Sequence, residues 1–467
     1  MTVKNEISAS EIWQKDKDHF IHPYTDFDTF EKEGSHIISK AHGAYIVDSD
    51  GHTILDGIGG LWCVNVGHGR QEMADSIAEQ VMSMEYFNPF GHTTNAPAAL
   101  LAAKLAELAP GDLNHVFYAN SGSVANDLSV RIIHYYFNQI GRASKKKIIS
   151  RIDGYHGATY LAASLTGIHG TKKGFDLVPD FVEHVSAANM YRRPSHMSED
   201  DYCDYLVREF EDRILQLGPD NVAAFIAEPI MGAGGVLVAP KDYHKRMWEI
   251  CQKYDLLYVA DEVVTAFGRL GHMFASEDVT GIQPDIINTA KGLTSGYIPL
   301  SATLIADKIY DVISNPQIEG SGLTMGFTYS GHPVGCAAAL TNIEIIEREN
   351  LCGHVRDMGP KFETMMKSLL DLPIVGDVRG SHFMQGIELV SDKNSKEGFA
   401  PEVKAADRVY KKCLKRGVMI RPIGNLMVVS PPLILTEEEC QKIATALAES
   451  ILELSDELKA EGYLLAS

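Results

Sequence analysis

The chain has 467 residues, 45% of them hydrophobic and 22% charged, and carries 62 acidic against 42 basic side chains for a formal net charge of −20. That balance excludes nucleic acid and anionic membrane as main partners, because both demand basic surface. No uninterrupted apolar run approaches the ~20 residues of a membrane-crossing helix. The seven cysteines (Cys63, Cys203, Cys251, Cys336, Cys352, Cys413 and Cys440) are odd in number, widely spaced and without a C-x-x-C pair. This is the usage of reduced thiols, not of a disulfide frame or a zinc site, and no metal is expected. The charged N-terminus lacks the apolar stretch of a signal peptide, so the expected location is the cytoplasm. Length allows one large and one smaller domain.

Taken in order, residues 11–30 are polar with scattered aromatics (Trp13, Phe20, Tyr24, Phe27, Phe30) and read as a short helix and an extended arm. Residues 44–49 and 53–56 flank Asp50-Gly51 and predict a β-hairpin. The stretch 57–67 is too glycine-rich for a regular element. Trp62 within it reads equally as a core anchor or a pocket wall. Apolar residues at helical spacing predict helices over 71–84 and 96–109, the second stopped by Pro110-Gly111, with an aromatic loop from Tyr86 to Phe90 between them.

The first site-like feature follows. A strand at 115–119, a turn at 120–123 and a helix over 124–140 put Ser121, Gly122 and Ser123 at a helix N-terminus. Such an end suits an anion, although a serine there also serves as a plain cap. The absence of GK[ST] rules out a nucleotide P-loop. The strand 147–152 ends in Asp153-Gly154-Tyr155-His156-Gly157, an aromatic between glycines, suited to stacking on a flat ring. An acid/base role for the Tyr-His pair lacks the nucleophile elbow that a hydrolase would carry.

Beyond an irregular region with an amphipathic helix near 199–217, the pattern becomes regular. A buried strand at 222–227 delivers Glu228. Met231–Gly235 resembles half a dinucleotide fingerprint but no helix follows, which rules out NAD. A helix over 241–254 leads to a strand at 256–260 that delivers Asp261, Glu262 and Val263. A third strand, 285–289, brings Lys291. Glu228, Asp261 and Lys291 thus recur about thirty positions apart at corresponding strand ends, which α/β topology gathers into one crevice. The remainder (helices over 334–350, 358–371, 403–416 and 436–460; strands at 383–390 and 427–430) reads as a smaller α+β domain completed by the N-terminal hairpin. The expected division is 1–66 with the small domain, 67–331 as the large domain and 332–467 as the rest of the small one.

A lysine is a nucleophile toward carbonyls. With a carboxylate to hold a ring nitrogen protonated, a stacking aromatic and a helix N-terminus for phosphate, it completes a pyridoxal 5'-phosphate (PLP) site. Here Asp261 would face the ring nitrogen, Ser121–Ser123 the phosphate, and Tyr155 and Val263 the two ring faces. A solvated Lys291, a capping Ser121 and a salt-bridged Asp261-Glu262 explain the residues one at a time but not as a set.

The motifs NSGSVAND (120–127), DGYHG (153–157), AEPIMGAGG (227–235), ADEVVTAFGRLG (260–271), AKGLTSGY (290–297) and GFTYSGHP (326–333) resemble those of class III aminotransferases, in the family's order over nearly the whole chain. GLWCVNVGHGR (60–70) and IRPIGNLMVVSPPL (420–433) resemble more narrowly the ω-amine and ω-amino acid:pyruvate aminotransferases. The resemblance implies the fold type I architecture of PLP-dependent transferases, with a mostly parallel sheet covered by helices on both faces and a smaller α+β domain. It implies Lys291 as catalytic and cofactor lysine. Ser121, Gly122, Ser123, Tyr155, His156, Glu228, Asp261 and Val263 would surround the cofactor, and Thr328 would reach the phosphate of a neighbouring subunit. That last role implies a homodimer, alone or within a tetramer. Tyr24, Trp62, Phe90 and Arg421 match substrate-pocket positions, with Arg421 receiving a carboxylate. Two departures, Val124 for the usual glutamate and Ala266 for the usual glycine, remove no chemical group from this set. The implied activity is ping-pong transfer of an amino group from an amine or ω-amino acid to pyruvate. A class III aminomutase or decarboxylase, or a non-catalytic binding relative, is the alternative.

Overall fold

In the computed structural model, which describes residues 7–178 and 180–464, seven strands form the central sheet. Their order is His115–Ala119, Ser301–Ile305, Ile286–Thr289, Leu257–Asp261, Val222–Ala227, Lys147–Arg151 and Val182–Val185. Ser301–Ile305 runs antiparallel to both of its neighbours, and the other pairings are parallel. All six residues of Val222–Ala227 are buried, as a parallel strand covered on both faces requires. Alternate side chains enter opposite cores. Phe225, Tyr258 and Ala260 join the helices Glu199–Leu217 and Tyr243–Lys253. Ala224, Ile226 and Val259 join the helix Gly122–Gln139 on the other side.

The three strands that end near Glu228, Asp261 and Lys291 are direct neighbours and run parallel, so their C-terminal ends share one edge. The mostly parallel sheet with helices on both faces expected of fold type I is present.

The second core gathers Phe362, Met427, Val429 and Leu447 from the C-terminal third together with Ala44 and Leu55 from the N-terminal hairpin. Its sheet, Val375–Ser381, Met384–Leu389, Leu426–Val429 and Arg421–Ile423, is antiparallel. Val418–Met419 pairs with Thr53–Asp56, which ties the two chain ends together. The helix Pro333–Arg348 packs against Gln71–Met84 and Ala96–Leu108 and buries Cys336, Ala339 and Ile343 in the large core. We propose the domain junction near residue 350, in place of the 331/332 junction that composition suggests, because this helix shares the large core.

Most predicted elements occur within a residue or two of their expected bounds. The helix expected from 358 begins at Leu351 and runs through Pro360, held by Leu351, Val355, Phe362 and Met366 in buried positions. Strands Ile38–His42, Val375–Ser381 and Arg421–Ile423 were not expected. Their burial is mixed, so no apolar alternation marks them. Among the described residues no helix is long and apolar enough to cross a membrane. The leader expectation rests partly on residues 1–6, which lie outside the described residues.

Candidate active site

Lys291 follows directly on the central strand Ile286–Thr289 and has φ +44°, a left-handed conformation that costs a side-chain-bearing residue ~1–3 kcal/mol and needs support from its surroundings. The support is visible. Asn342 Nδ2 donates to the carbonyls of Gly292 (2.8 Å) and Leu293 (3.0 Å), and its Oδ1 accepts from the Ser295 hydroxyl at 2.5 Å. Asn65 lies against Gly292, where a β-carbon would meet its Nδ2, and the buried Arg269 donates to Asn65 Oδ1 at 3.0 Å. The Lys291 amine itself has no hydrogen bond or ion pair among the described residues. Burial pushes its pKa below the ordinary lysine value, while the charge of Asp261 opposes that shift.

Asp261, 4% exposed, ends the neighbouring strand. Its Oδ2 accepts from Asn126 Nδ2 and from His156 Nδ1, each at 2.8 Å, and its Oδ1 accepts the Val263 N–H at 3.2 Å. His156 therefore stands behind the carboxylate, buried, with Nε2 unpartnered. Glu228 uses both oxygens on backbone, accepting the N–H of Tyr155 (2.9 Å) and of Gly232 (2.8 Å). It fixes the Tyr155 loop to the glycine turn 232–235, and burial raises its pKa.

The turn 121–123 opens the helix Gly122–Gln139 as expected. Ser121 Oγ accepts the Val124 N–H, so this hydroxyl acts as the cap. Ser123 Oγ accepts from the Ala158 N–H at 3.1 Å. A β-carbon on Gly122 would lie 2.9 Å from both methyls of Val263, and one on Gly157 would collide with Ser123. The helix N-terminus, Val263 and the Tyr155–Gly157 loop are thus in mutual contact. From the N-terminal arm, the Tyr24 hydroxyl meets that of Tyr155 at 3.1 Å. Arg421, partly buried, faces both tyrosines and makes no ion pair among the described residues. Trp62, φ +63°, is only 4% exposed, packing with Ile230, Met384 and Val428 and against Gly232. It is a core anchor that borders the glycine turn. Phe90 and Thr328 lie elsewhere. Phe90 packs on Gly326, and the Thr328 carbonyl accepts from Tyr86. No hydrogen bond ties either to the Lys291 crevice.

Comparison with known proteins identifies the family. The sequence profile described as Aminotransferase class-III matches residues 29–451. The chain belongs to the class III aminotransferases. It is 39% identical over 444 residues to a putrescine–pyruvate aminotransferase of Pseudomonas aeruginosa, covering 94% of this chain and 96% of that one. A thermostable (S)-enantioselective ω-transaminase from Thermomicrobium roseum superposes with a TM-score of 0.94 at 36% identity, covering 96% and 100% of the two chains. The Pseudomonas jessenii ω-transaminase, solved in complex with PMP, gives 0.93 at 37% identity over 96% and 99%. This aminotransferase is accordingly a PLP-dependent transaminase.

The residues present fit that group. A carboxylate already saturated on one oxygen, an unpaired amine, free N–H groups at a helix N-terminus and a tyrosine fixed by Glu228 form one crevice. A β-carbon at Gly122 would narrow it. Sequence reasoning missed Asn65, Asn126, Arg269, Asn288 and Asn342. Polar Asn288 within the apolar strand of IINT, and Asn126 inside NSGSVAND, were the available signals.

Proposed function

We propose that this aminotransferase takes a primary amine or ω-amino acid as donor and pyruvate as acceptor, alternately, at the Lys291 crevice. The reading rests chiefly on Arg421, a partly buried guanidinium near Tyr24 and Tyr155 that makes no ion pair among the described residues. A desolvated cation of this kind receives a carboxylate on two oxygens, and with an uncharged amine donor it can remain turned aside. Burial lowers its pKa, which further favours an anionic partner.

Bound PLP supplies an aldehyde carbon and an electron-withdrawing ring. Asp261 would hold the proton on the ring nitrogen, Gly122 and Ser123 would offer N–H groups to the phosphate, and Tyr155 and Val263 would cover the faces. Lys291 Nζ takes the proton from the donor carbon and delivers it to the cofactor's aldehyde carbon, and burial lowers its basicity in the direction such a shuttle needs. Glu228 and His156 act through Tyr155 and Asp261. Tyr24 borders the substrate side, and Trp62 backs it from the core beside the glycine turn.

Thr328 and Phe90 we assign to the crevice of a second copy in a homodimer. A groove of about 750 Å³ lined by Phe90, Ala98, Phe117, Met325 and Gly326, with exposed Phe87, Leu100 and Tyr329 on the same chain, supports that assembly. The seven free cysteines support a cytoplasmic location.

A donor panel of a diamine, taurine, β-alanine and an arylalkylamine with pyruvate, scored by alanine formed, tests the reading, with 2-oxoglutarate as control. Alanine should appear with at least one donor and exceed glutamate from the control. Glutamate formed without alanine would refute the pyruvate assignment, and size-exclusion chromatography showing a monomer would refute the shared site.

A further inference from the structure

Behind Asp261 runs a chain of side chains that are all 1% exposed or less: Asn126, Asn288, Ser129 and Thr303. Asn126 Nδ2 reaches both Asp261 Oδ2 (2.8 Å) and the His156 carbonyl (2.6 Å). Asn288 Nδ2 meets Asn126 Oδ1 at 2.7 Å. The hydroxyls of Ser129 (2.8 Å) and Thr303 (2.7 Å) meet Asn288 Oδ1.

The orientation of both amides follows from chemistry. A peptide carbonyl only accepts, so the Asn126 atom facing His156 O is its NH₂. The other end of Asn126 is then an acceptor and requires a donor from Asn288. That leaves Asn288 Oδ1 toward the two hydroxyls, and Thr303 supplies a hydrogen. The bonds that link Thr303, Asn288, Asn126 and Asp261 therefore all point toward Asp261, while the Ser129 hydroxyl can also donate to the Ala125 carbonyl at 3.0 Å. Bonds aligned this way polarise one another in a low-dielectric interior.

We propose that Asn288 is a positioning residue for the reaction. It locks Asn126 with its NH₂ toward Asp261 Oδ2, which fixes the carboxylate's orientation and directs Oδ1 toward the crevice. Among the described residues the Asn288 side chain bonds Asn126, Ser129 and Thr303 and makes no hydrogen bond to Lys291. It sits mid-strand, where an apolar residue would bury more easily. The inference rests on the reading of Asp261 as partner of the cofactor's ring nitrogen.

Two variants of nearly identical shape separate a hydrogen-bonding role from a packing role. Asn288→Thr retains a hydroxyl able to donate to Asn126, and Asn288→Val does not. Apoprotein of each is titrated with PLP and the dissociation constant is read from absorbance, with thermal unfolding of the apo forms as a check on folding. N288V should hold PLP about ten-fold more weakly than wild type, the size expected for one buried bond to a charged relay, and N288T should recover most of that loss. In turnover, N288V should lower kcat with KM for the amine little changed. Equal PLP affinity in N288V and N288T would overturn the proposal. Should N288V not fold, Thr303→Val combined with Ser129→Ala removes both hydroxyls that meet Asn288 Oδ1 and must weaken PLP in the same direction. An unchanged constant there would also overturn it. Wild-type apoprotein that takes up no PLP would refute the underlying cofactor site itself, which is a different outcome from equality of the two variants.

Discussion

The turn that carries Lys291 offers a quantitative test through Asn342, which lies on the helix Pro333–Arg348 and is fully buried. Asn342→Ala deletes two donors to the Gly292 and Leu293 carbonyls and the acceptor of the Ser295 hydroxyl. Each such bond contributes ~1 kcal/mol net, and buried groups left unpaired add to the cost. The turn also holds Lys291 and Ser295 at φ +44° and +49°, strain that these bonds help to hold. The loss should come to about 3 kcal/mol for opening of this turn, a change of roughly a hundred-fold in its opening constant. Native-state hydrogen exchange reads it locally, without requiring reversible unfolding of a large protein. The amides of Leu293 and Tyr297, bonded within the turn to Ala290 and Thr294, should exchange about a hundred-fold faster. Amides of the helix Gly122–Gln139 should be unaffected. A change under about threefold at Leu293 and Tyr297 would show that the clamp on Lys291 lies elsewhere.

Lys291→Ala should abolish turnover together with the visible absorbance of the purified enzyme, and retained activity would refute the mechanism. Arg421→Ala should spare simple amine donors while raising KM for the keto acid about ten-fold or more, as expected for loss of a charge-assisted pair; equal loss on both substrates would contradict the switching role. Gly122→Ala should weaken PLP about ten-fold because the added carbon meets Val263 at 2.9 Å, whereas Gly170→Ala, with open space around it, should not; equal retention in both would refute the close-packed helix terminus. His52, whose pKa is raised by its bond to Asp48, contributes stability that is full below its ordinary value near 6.5 and fades as pH rises through the raised value. The difference in unfolding midpoint between wild type and His52→Gln should therefore narrow from pH 5.5 to pH 9, and a widening difference would reverse the sign of that linkage.

Legibility in the sequence followed physical contrast. Strands such as Val222–Ala227 are buried on both faces and read as unbroken apolar runs. The helices Glu199–Leu217 and Glu437–Ala460 carry periodic apolar faces and capping boxes. The half-exposed strands Ile38–His42 and Val375–Ser381 have no such contrast and went unseen. The positions of Lys291, Asp261 and Glu228 were readable because three apolar strands recur about thirty residues apart and a charged residue stands at or just past the end of each.

What the sequence determined by itself is which polar residues end the buried strands and the one edge they share, because parallel neighbours deliver their C-terminal ends together. The tertiary structure alone decided what holds them. The supports of Lys291 and Asp261 are the amides of Asn342, Asn65, Asn126 and Asn288, which come from distant segments and look in sequence like any other asparagine. It also packed Trp62 into a core beside the glycine turn, and it placed Phe90 against Gly326 and the Thr328 carbonyl under the Tyr86 hydroxyl. The physical reason is common to these cases. A hydrogen bond between remote residues leaves no periodicity in the chain, so only the packing that brings them within 3 Å reveals it.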